Sequence, residues 1–307
     1  MLTNKRYIAQ AIDGIILVNK PQGLSSNAVL QRVKHLFHAK KAGHTGSLDP
    51  LATGMLPICF GEATKFCQYV LDADKCYDVS GLLGVTTDTG DSMGAVIAEV
   101  PSFDVSHEAL LKTLPAFTGM IQQVPPMYSA LKHQGKPLYR YARQGVSVER
   151  PPRSITIHAL TLDRFDGKTL DLTVKCSKGT YIRSLIESIG EVLQVGAHVT
   201  RLHCICTAGF EGDRMYTLDE LAQYAQQDLK DLLLPMDRAV MHLPKRIISE
   251  DDLLALRQGK QIKSHVIEDE LGLVRLYDAN GVFSGLGEQL DLETLTSKRL
   301  FSFPQSL

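Results

Sequence analysis

The sequence predicts an α+β protein in two parts, a large domain over residues 1–245 and a small β-rich module over residues 246–307. Three observations predict it. Strand-like and helix-like segments alternate through the first part without a strict repeat. The clearest helical stretch carries its apolar residues on one face, as a helix packed against a sheet does. Beyond Leu243-Pro244 the pattern changes to one short capped helix followed by a hairpin signal. A chain of 307 residues is long enough for one large domain plus a small one.

In chain order, Gly14-Ile15-Ile16-Leu17-Val18 reads as a strand, and so does Tyr77-Asp78-Val79-Ser80-Gly81-Leu82-Leu83. Ile155-Thr156-Ile157-His158-Ala159-Leu160 has the same character. Leu170-Asp171-Leu172-Thr173-Val174-Lys175-Cys176 alternates apolar and polar residues, the period of a half-buried strand. Ile182, Leu185, Ile186, Ile189 and Leu193 fall on one helical face. Thr217-Leu218-Asp219-Glu220 is a capping box that opens another helix. Ser249-Glu250-Asp251-Asp252 starts a third, and Gly259 ends it. Leu273–Tyr277 and Val282–Leu286 flank Asn280-Gly281, a turn that joins a hairpin.

The net charge of −1 conceals an uneven distribution. Residues 1–70 hold eight Lys/Arg against three acids, and residues 130–153 hold six against Glu149. Residues 250–307 run the other way, with ten acids against six Lys/Arg. A near-neutral total therefore does not exclude a polyanionic partner, provided that the basic stretches share a face. Between Val124 and Arg153, Lys132, Lys136, Arg140 and Arg143 are interleaved with His133, Tyr139 and Tyr141. Such a mixture suits nucleic acid, where cations meet phosphates and rings stack on bases. The same composition also describes a basic surface hairpin or helix with its tyrosines packed inward. No apolar run approaches the length of a membrane span, and the start lacks a secretory apolar core, so a cytoplasmic protein is expected. Cys59, Cys67, Cys76 and Cys176 are isolated in sequence, and Cys204-Ile205-Cys206 has no second pair at zinc spacing. Reduced thiols and no metal are the expectation.

Gly43-His44-Thr45-Gly46-Ser47-Leu48-Asp49-Pro50-Leu51-Ala52-Thr53-Gly54 is the stretch richest in chemistry. It sets one carboxylate, Asp49, among three glycines that allow close backbone approach. Pro50 biases Asp49 towards an extended conformation, which presents the carboxylate. Spacing alone is equally that of an ordinary turn. A second motif, Gly179-Thr180-Tyr181-Ile182-Arg183-Ser184-Leu185, puts a cation in the first turn of a helix, against the helix dipole. That position is reasonable if a carboxylate compensates it.

These two motifs, with Lys75-Cys76-Tyr77-Asp78, Thr200-Arg201-Leu202 and Asn19-Lys20-Pro21-Gln22-Gly23-Leu24-Ser25-Ser26, occur in the order of the TruB family of pseudouridine synthases, which the chain resembles over about residues 13–245. The resemblance implies a mixed, mainly antiparallel sheet flanked by helices, with a cleft across it. It implies conversion of the T-loop uridine at position 55 of transfer RNA to pseudouridine, with base flipping and no organic cofactor. Asp49 would be the nucleophile, Arg183 its ion-pair partner, and Tyr77 the ring that stacks on the base and helps with the C5 proton. Tyr181 and Leu202 would line the uracil pocket, His44 would fill the space left by the flipped base, and Lys20 and Pro21 would support the site. The basic segment, about residues 124–153, resembles the insertion with which stand-alone bacterial members grip transfer RNA. The partner is then the transfer RNA T-arm, for a monomer with no obligatory protein partner and no membrane attachment. The C-terminal module resembles a PUA domain, a small β-barrel-like RNA-binding unit, although its acidic balance is unexpected for RNA contact. A transfer RNA folding chaperone and a carboxylate glycoside hydrolase are the rival readings, the second of which needs another acid near Asp49.

Overall fold

The computed structural model of the chain describes residues 9–264 and 271–301. Lys5, Arg6, three of the C-terminal acids (Glu268, Asp269, Glu270) and the last six residues lie outside them. The chain runs β1 (Gly14–Lys20), α1 (Ser26–Leu36), β2 (Ala42–His44), β3 (Thr53–Phe60), α2 (Cys67–Asp72), β4 (Lys75–Leu83), β5 (Val85–Thr87), β6 (Val96–Glu99), α3 (His107–Thr113) and β7 (Gly119–Gln123). It continues through β8 (Lys132–His133), β9 (Lys136–Pro137), α4 (Leu138–Ala142), β10 (Arg153–Phe165), β11 (Thr169–Cys176), α5 (Ile182–Val192), β12 (Ala197–Thr207) and α6 (Leu218–Gln223). The module holds β13 (Lys245–Ile247), α7 (Glu250–Arg257), β14 (Ile262–Lys263), β15 (Gly272–Tyr277), β16 (Phe283–Gln289) and β17 (Thr294–Leu300).

One eight-stranded sheet dominates, in the order β1-β3-β12-β4-β11-β10-β7 with β2 also paired to β3. Every pairing in it is antiparallel except β12 with β3, so the sheet is mixed and mainly antiparallel. The strands form where expected, and β11 alternates buried and half-buried residues along most of its length, as its pattern requires. α5 buries Ile182, Leu185, Ile186 and Ile189 in the core formed with β4, β11 and β12. Ser25 caps α1 and Thr217 closes the capping box of α6, so both helix starts satisfy backbone donors locally.

β3 is buried over Gly54–Phe60, and its edge facing β12 and β2 is forked. β12 pairs only with Thr53 and Gly54, while β2 pairs only with Ile58, Cys59 and Phe60. Met55, Leu56 and Pro57 lie in the fork, where the Pro57 carbonyl accepts the Thr45 N–H at 3.1 Å. The loop 45–52, which carries Asp49, leaves the sheet at this fork.

The C-terminal residues form their own five-stranded sheet, β13-β15-β16-β17-β14, a curled PUA-like module. Ile248, Leu253, Leu256, Val274, Leu276 and Leu295 form a core of its own, and a second apolar surface packs on the large domain. Tyr277, Phe283 and Phe301 share one apolar cluster with Phe66, Phe210 and Met236 of the large domain. The Phe66 ring lies 5.5 Å from Phe283 and 5.7 Å from Phe301, centroid to centroid. Tyr277 Oη donates to Asp237 Oδ2 at 2.6 Å, and Lys65 Nζ to the Leu300 carbonyl at 2.9 Å. The basic segment 124–153 contains a two-residue hairpin, β8–β9, and the single turn of α4. Lys132, Lys136, Arg140 and Arg143 are exposed there, and Tyr139 and Tyr141 are half-buried. The Arg143 guanidinium sits over the Tyr139 ring.

Candidate active site

Asp49 and Arg183 meet. Arg183 Nε lies 2.8 Å from Asp49 Oδ2, and its Nη2 donates to Oδ1 at 3.2 Å. The guanidinium side chain is 3% exposed and the carboxylate 34%, so the pair shows its acidic end to solvent. Arg183 is otherwise fully engaged. Nη1 donates to the Thr89 carbonyl at 2.5 Å and Nη2 to the Tyr128 carbonyl at 2.7 Å. A cation in the first turn of α5 is unfavourable by itself, and these acceptors compensate it.

The loop that presents Asp49 is held by the N-terminal motif. The buried Ser26 hydroxyl accepts the Leu48 N–H at 2.8 Å and donates to the Leu48 carbonyl at 3.2 Å. Gly23 N–H donates to the Pro50 carbonyl at 2.7 Å, and Ala52 N–H closes a turn on the Asp49 carbonyl at 3.1 Å. Of the three glycines expected to permit close approach, only Gly54 is required for it. Its φ is +98°, and a Cβ there would lie 2.2 Å from the Cys204 carbonyl oxygen of β12. A Cβ at Gly43, within β2, would meet only ordinary contacts, and one at Gly46, in the loop, open space.

Asp49 and Arg183 line a cavity of about 640 Å³, together with Tyr77, Tyr181 and Leu202. Met55, Leu56 and Pro57 from the fork supply part of its wall. Leu202 is buried in β12, and Tyr77 on β4 packs against two core clusters. The Tyr181 backbone is bridged by the buried Gln123, whose Oε1 accepts its N–H at 2.8 Å and whose Nε2 donates to its carbonyl at 3.0 Å. Lys20 lies behind the site, fully buried, with Nζ donating to the Pro21 carbonyl at 2.9 Å. Lys20, Pro21 and His44 are not among the residues lining the cavity. His44 is half-buried on β2, and its buried Nδ1 has no hydrogen-bond partner among the described residues. Among the described residues no three His, Cys, Asp or Glu side chains converge as metal ligands would, and all six cysteines are free thiols.

The electrostatics follow from burial. Loss of water pushes the Asp49 carboxyl above its usual range; Arg183 pulls it down, and the Asp91 charge pushes it up. Lys20 is lowered to about 8 by burial, against the pull of Asp49. Burial holds the Tyr77 phenol well above its ordinary value and the His44 imidazole below its own. Glu187, one turn along α5 from Arg183, is pushed up to about 7 by burial.

Sequence reasoning missed Asp91. Its carboxylate is buried 3.9 Å from Arg183 Nε, and its Oδ1 accepts from Thr89 Oγ1 at 2.8 Å and Met93 N–H at 3.0 Å. A second acid therefore does stand near Asp49, contrary to the expectation of a basic partner alone. It lies behind the arginine and does not line the cavity. The pattern Thr87-Asp88-Thr89-Gly90-Asp91, a tight turn with two acids, was the available signal.

The fold is found in solved structures. The chain superposes with a TM-score of 0.71 on a protein in an H/ACA RNP bound to a substrate RNA containing 2'-deoxyuridine, at 24% identity, covering 95% of this chain and 86% of that one. Architecture and cleft together define a protein of the pseudouridine synthase fold. Residues 34–182 match the TruB family pseudouridylate synthase N-terminal domain, residues 183–241 the tRNA pseudouridylate synthase B C-terminal domain, and residues 244–301 the pseudouridine synthase II TruB C-terminal domain. A tRNA pseudouridine synthase B of Legionella pneumophila is 54% identical over 95% of this chain and 97% of its own length. One from Coxiella burnetii is 49% identical over 96% of each. The chain belongs to the TruB family of pseudouridine synthases.

Proposed function

We propose that this protein isomerises the T-loop uridine at position 55 of transfer RNA to pseudouridine, in the cytoplasm, as a monomer without an organic cofactor. Support comes from family membership and from relatives named for transfer RNA. The observation that carries the reading is the Asp49–Arg183 pair, 2.8 Å apart on the wall of a cavity large enough for a nucleotide. The reaction detaches uracil from C1′ at N1 and rejoins it at C5, with loss of the C5 proton. It needs a carboxylate nucleophile, a counter-cation that keeps it ionised, and walls that retain the free base. Asp49 is that nucleophile and Arg183 the counter-cation. Tyr77 offers a ring to stack on the flipped base and an oxygen near the C5 proton. Tyr181 and Leu202 retain the uracil, and Lys20 and Pro21 brace the loop from behind. His44 is given the space left by the flipped base on the strength of its place in the family motif. The target base leaves its loop at a cost of a few kcal/mol, offset by contacts of the basic segment 124–153 and the module 246–307 with the RNA.

The glycoside hydrolase reading is weaker, because Asp91 is buried behind Arg183 and turned to its own loop. Unmodified transfer RNA incubated with the purified protein, followed by mapping of pseudouridine by position, tests the proposal. Asp49→Asn is expected to abolish tritium release from C5-labelled uridine while RNA binding persists. Modification at another position overturns the position; unchanged release by Asp49→Asn overturns the mechanism; binding with no modification by the wild type favours a folding chaperone.

A further inference from the structure

Gln123 ends β7 at the root of the basic segment, and its buried carboxamide is committed to a single residue. Oxygen and nitrogen take the N–H and the carbonyl of Tyr181 at 2.8 and 3.0 Å. Two bonds to both backbone groups of one residue fix its position and its rotation together, as a rung of a sheet does. Tyr181 precedes the first residue of α5, and no side chain of its own caps the helix. Arg183 follows two positions on. Five residues beyond Gln123, the Tyr128 carbonyl takes Arg183 Nη2 at 2.7 Å. One stretch of chain therefore holds both the start of α5 and the guanidinium that α5 carries.

We propose that Gln123 is a positioning residue for the Asp49–Arg183 pair, acting through Tyr181, and that it ties the root of the basic segment to that pair. The inference rests on the synthase reading above. Gln123 does not line the cavity, so its loss is expected to act on how Arg183 is aimed rather than on RNA binding. Gln123→Leu keeps the volume and removes both bonds. The expected result is a single-turnover rate of pseudouridine formation lowered about tenfold or more, in line with two lost hydrogen bonds, with the dissociation constant for transfer RNA within about twofold of wild type. Gln123→Glu keeps the acceptor for the Tyr181 N–H and regains the donor only when protonated. Arg153 stands directly opposite it on β10, and the phenol of Tyr181, whose backbone it bonds, feels Asp49, Arg153 and Arg183. Measured as a ratio to wild type at each pH, its rate is expected to recover as pH falls. A Gln123→Leu rate equal to wild type overturns the proposal, as does a loss carried entirely by RNA affinity. If Gln123→Leu does not fold, the Gln123→Glu ratio decides, and a ratio independent of pH overturns it. A wild-type protein that makes no pseudouridine defeats the synthase reading and this one together, whereas an active wild type with an indifferent Gln123 defeats this one alone.

Discussion

Replacing Arg183 by Met removes a charge but keeps a long unbranched side chain, so the cost is that of the lost polar contacts. The guanidinium makes two contacts to Asp49 and one each to the Thr89 and Tyr128 carbonyls. Breaking a buried ion pair by deleting one partner costs about 3–5 kcal/mol. Asp49 keeps a third of its side chain in solvent and can take up a proton, so about 3 kcal/mol is the appropriate figure. The melting temperature is then expected to fall by roughly 5–10 °C. Catalysis loses more. Two charge-assisted hydrogen bonds that aim the carboxylate, at about 1.5–3 kcal/mol each, correspond to a rate lowered roughly 150- to 25,000-fold. Without the cation that pulls it down, the Asp49 carboxyl rises further, so the residual rate should climb with pH beyond the point where wild type levels off. Single-turnover tritium release, RNA binding on filters and thermal melting separate these effects. A variant that melts lower yet turns over within threefold of wild type, with an unchanged pH profile, would refute the assignment of Arg183 to keeping Asp49 charged.

Two further outcomes concern pH and one concerns packing. In the proposed mechanism Asp49 acts ionised, and its carboxyl is pushed up, so activity should fail as pH drops through a value above the ordinary carboxylate range; activity retained down into that range contradicts this. Lys20, lowered to about 8, should lose its charge as pH rises through that value and give an alkaline decline, which Lys20→Met abolishes. Gly54→Ala forces a non-glycine residue to φ +98° and a Cβ into the Cys204 carbonyl, so a loss of about 3 kcal/mol or more should appear as a lower melting temperature; an unchanged melt would mean that β3 and β12 can part there at no cost.

Asp49 and Arg183 were legible through the resemblance of their motifs to the TruB family; by themselves, a carboxylate before proline among glycines is an ordinary turn and a cation at a helix start is an ordinary surface arginine. The strands over 14–18, 77–83, 155–160 and 170–176 were legible from their apolar content or period, and β10 proved longer than its apolar core because its outer half is exposed. The other partners of Arg183 left little trace. Thr89 and Tyr128 contribute carbonyls, which every residue possesses, so no choice of amino acid advertises them. Asp91 and Gln123 are single polar residues whose meaning depends on strands brought together from distant parts of the chain. The module, about sixty residues, is near the lower limit for folding alone, and no pattern in its own sequence shows that Phe283 and Phe301 complete a cluster begun by Phe66. A partner for an inward-facing ring is a tertiary fact. The basic stretches were legible as composition, but composition does not say whether they share a face.

The fork in β3 has a consequence for the solution behaviour of the protein. In an extended strand, the carbonyl and the nitrogen of one residue point the same way. Pro57 offers its carbonyl to Thr45 on the forked side, so the nitrogen that carries no hydrogen also looks into the fork. An intruding peptide, from a neighbouring molecule or from a nascent chain, finds an incomplete ladder there and gains little by zipping on. Ile58→Thr should be harmless in this respect, whereas Pro57→Val would restore the missing donor and invite self-association by strand invasion. The imino acid makes the gap a poor berth for a polypeptide.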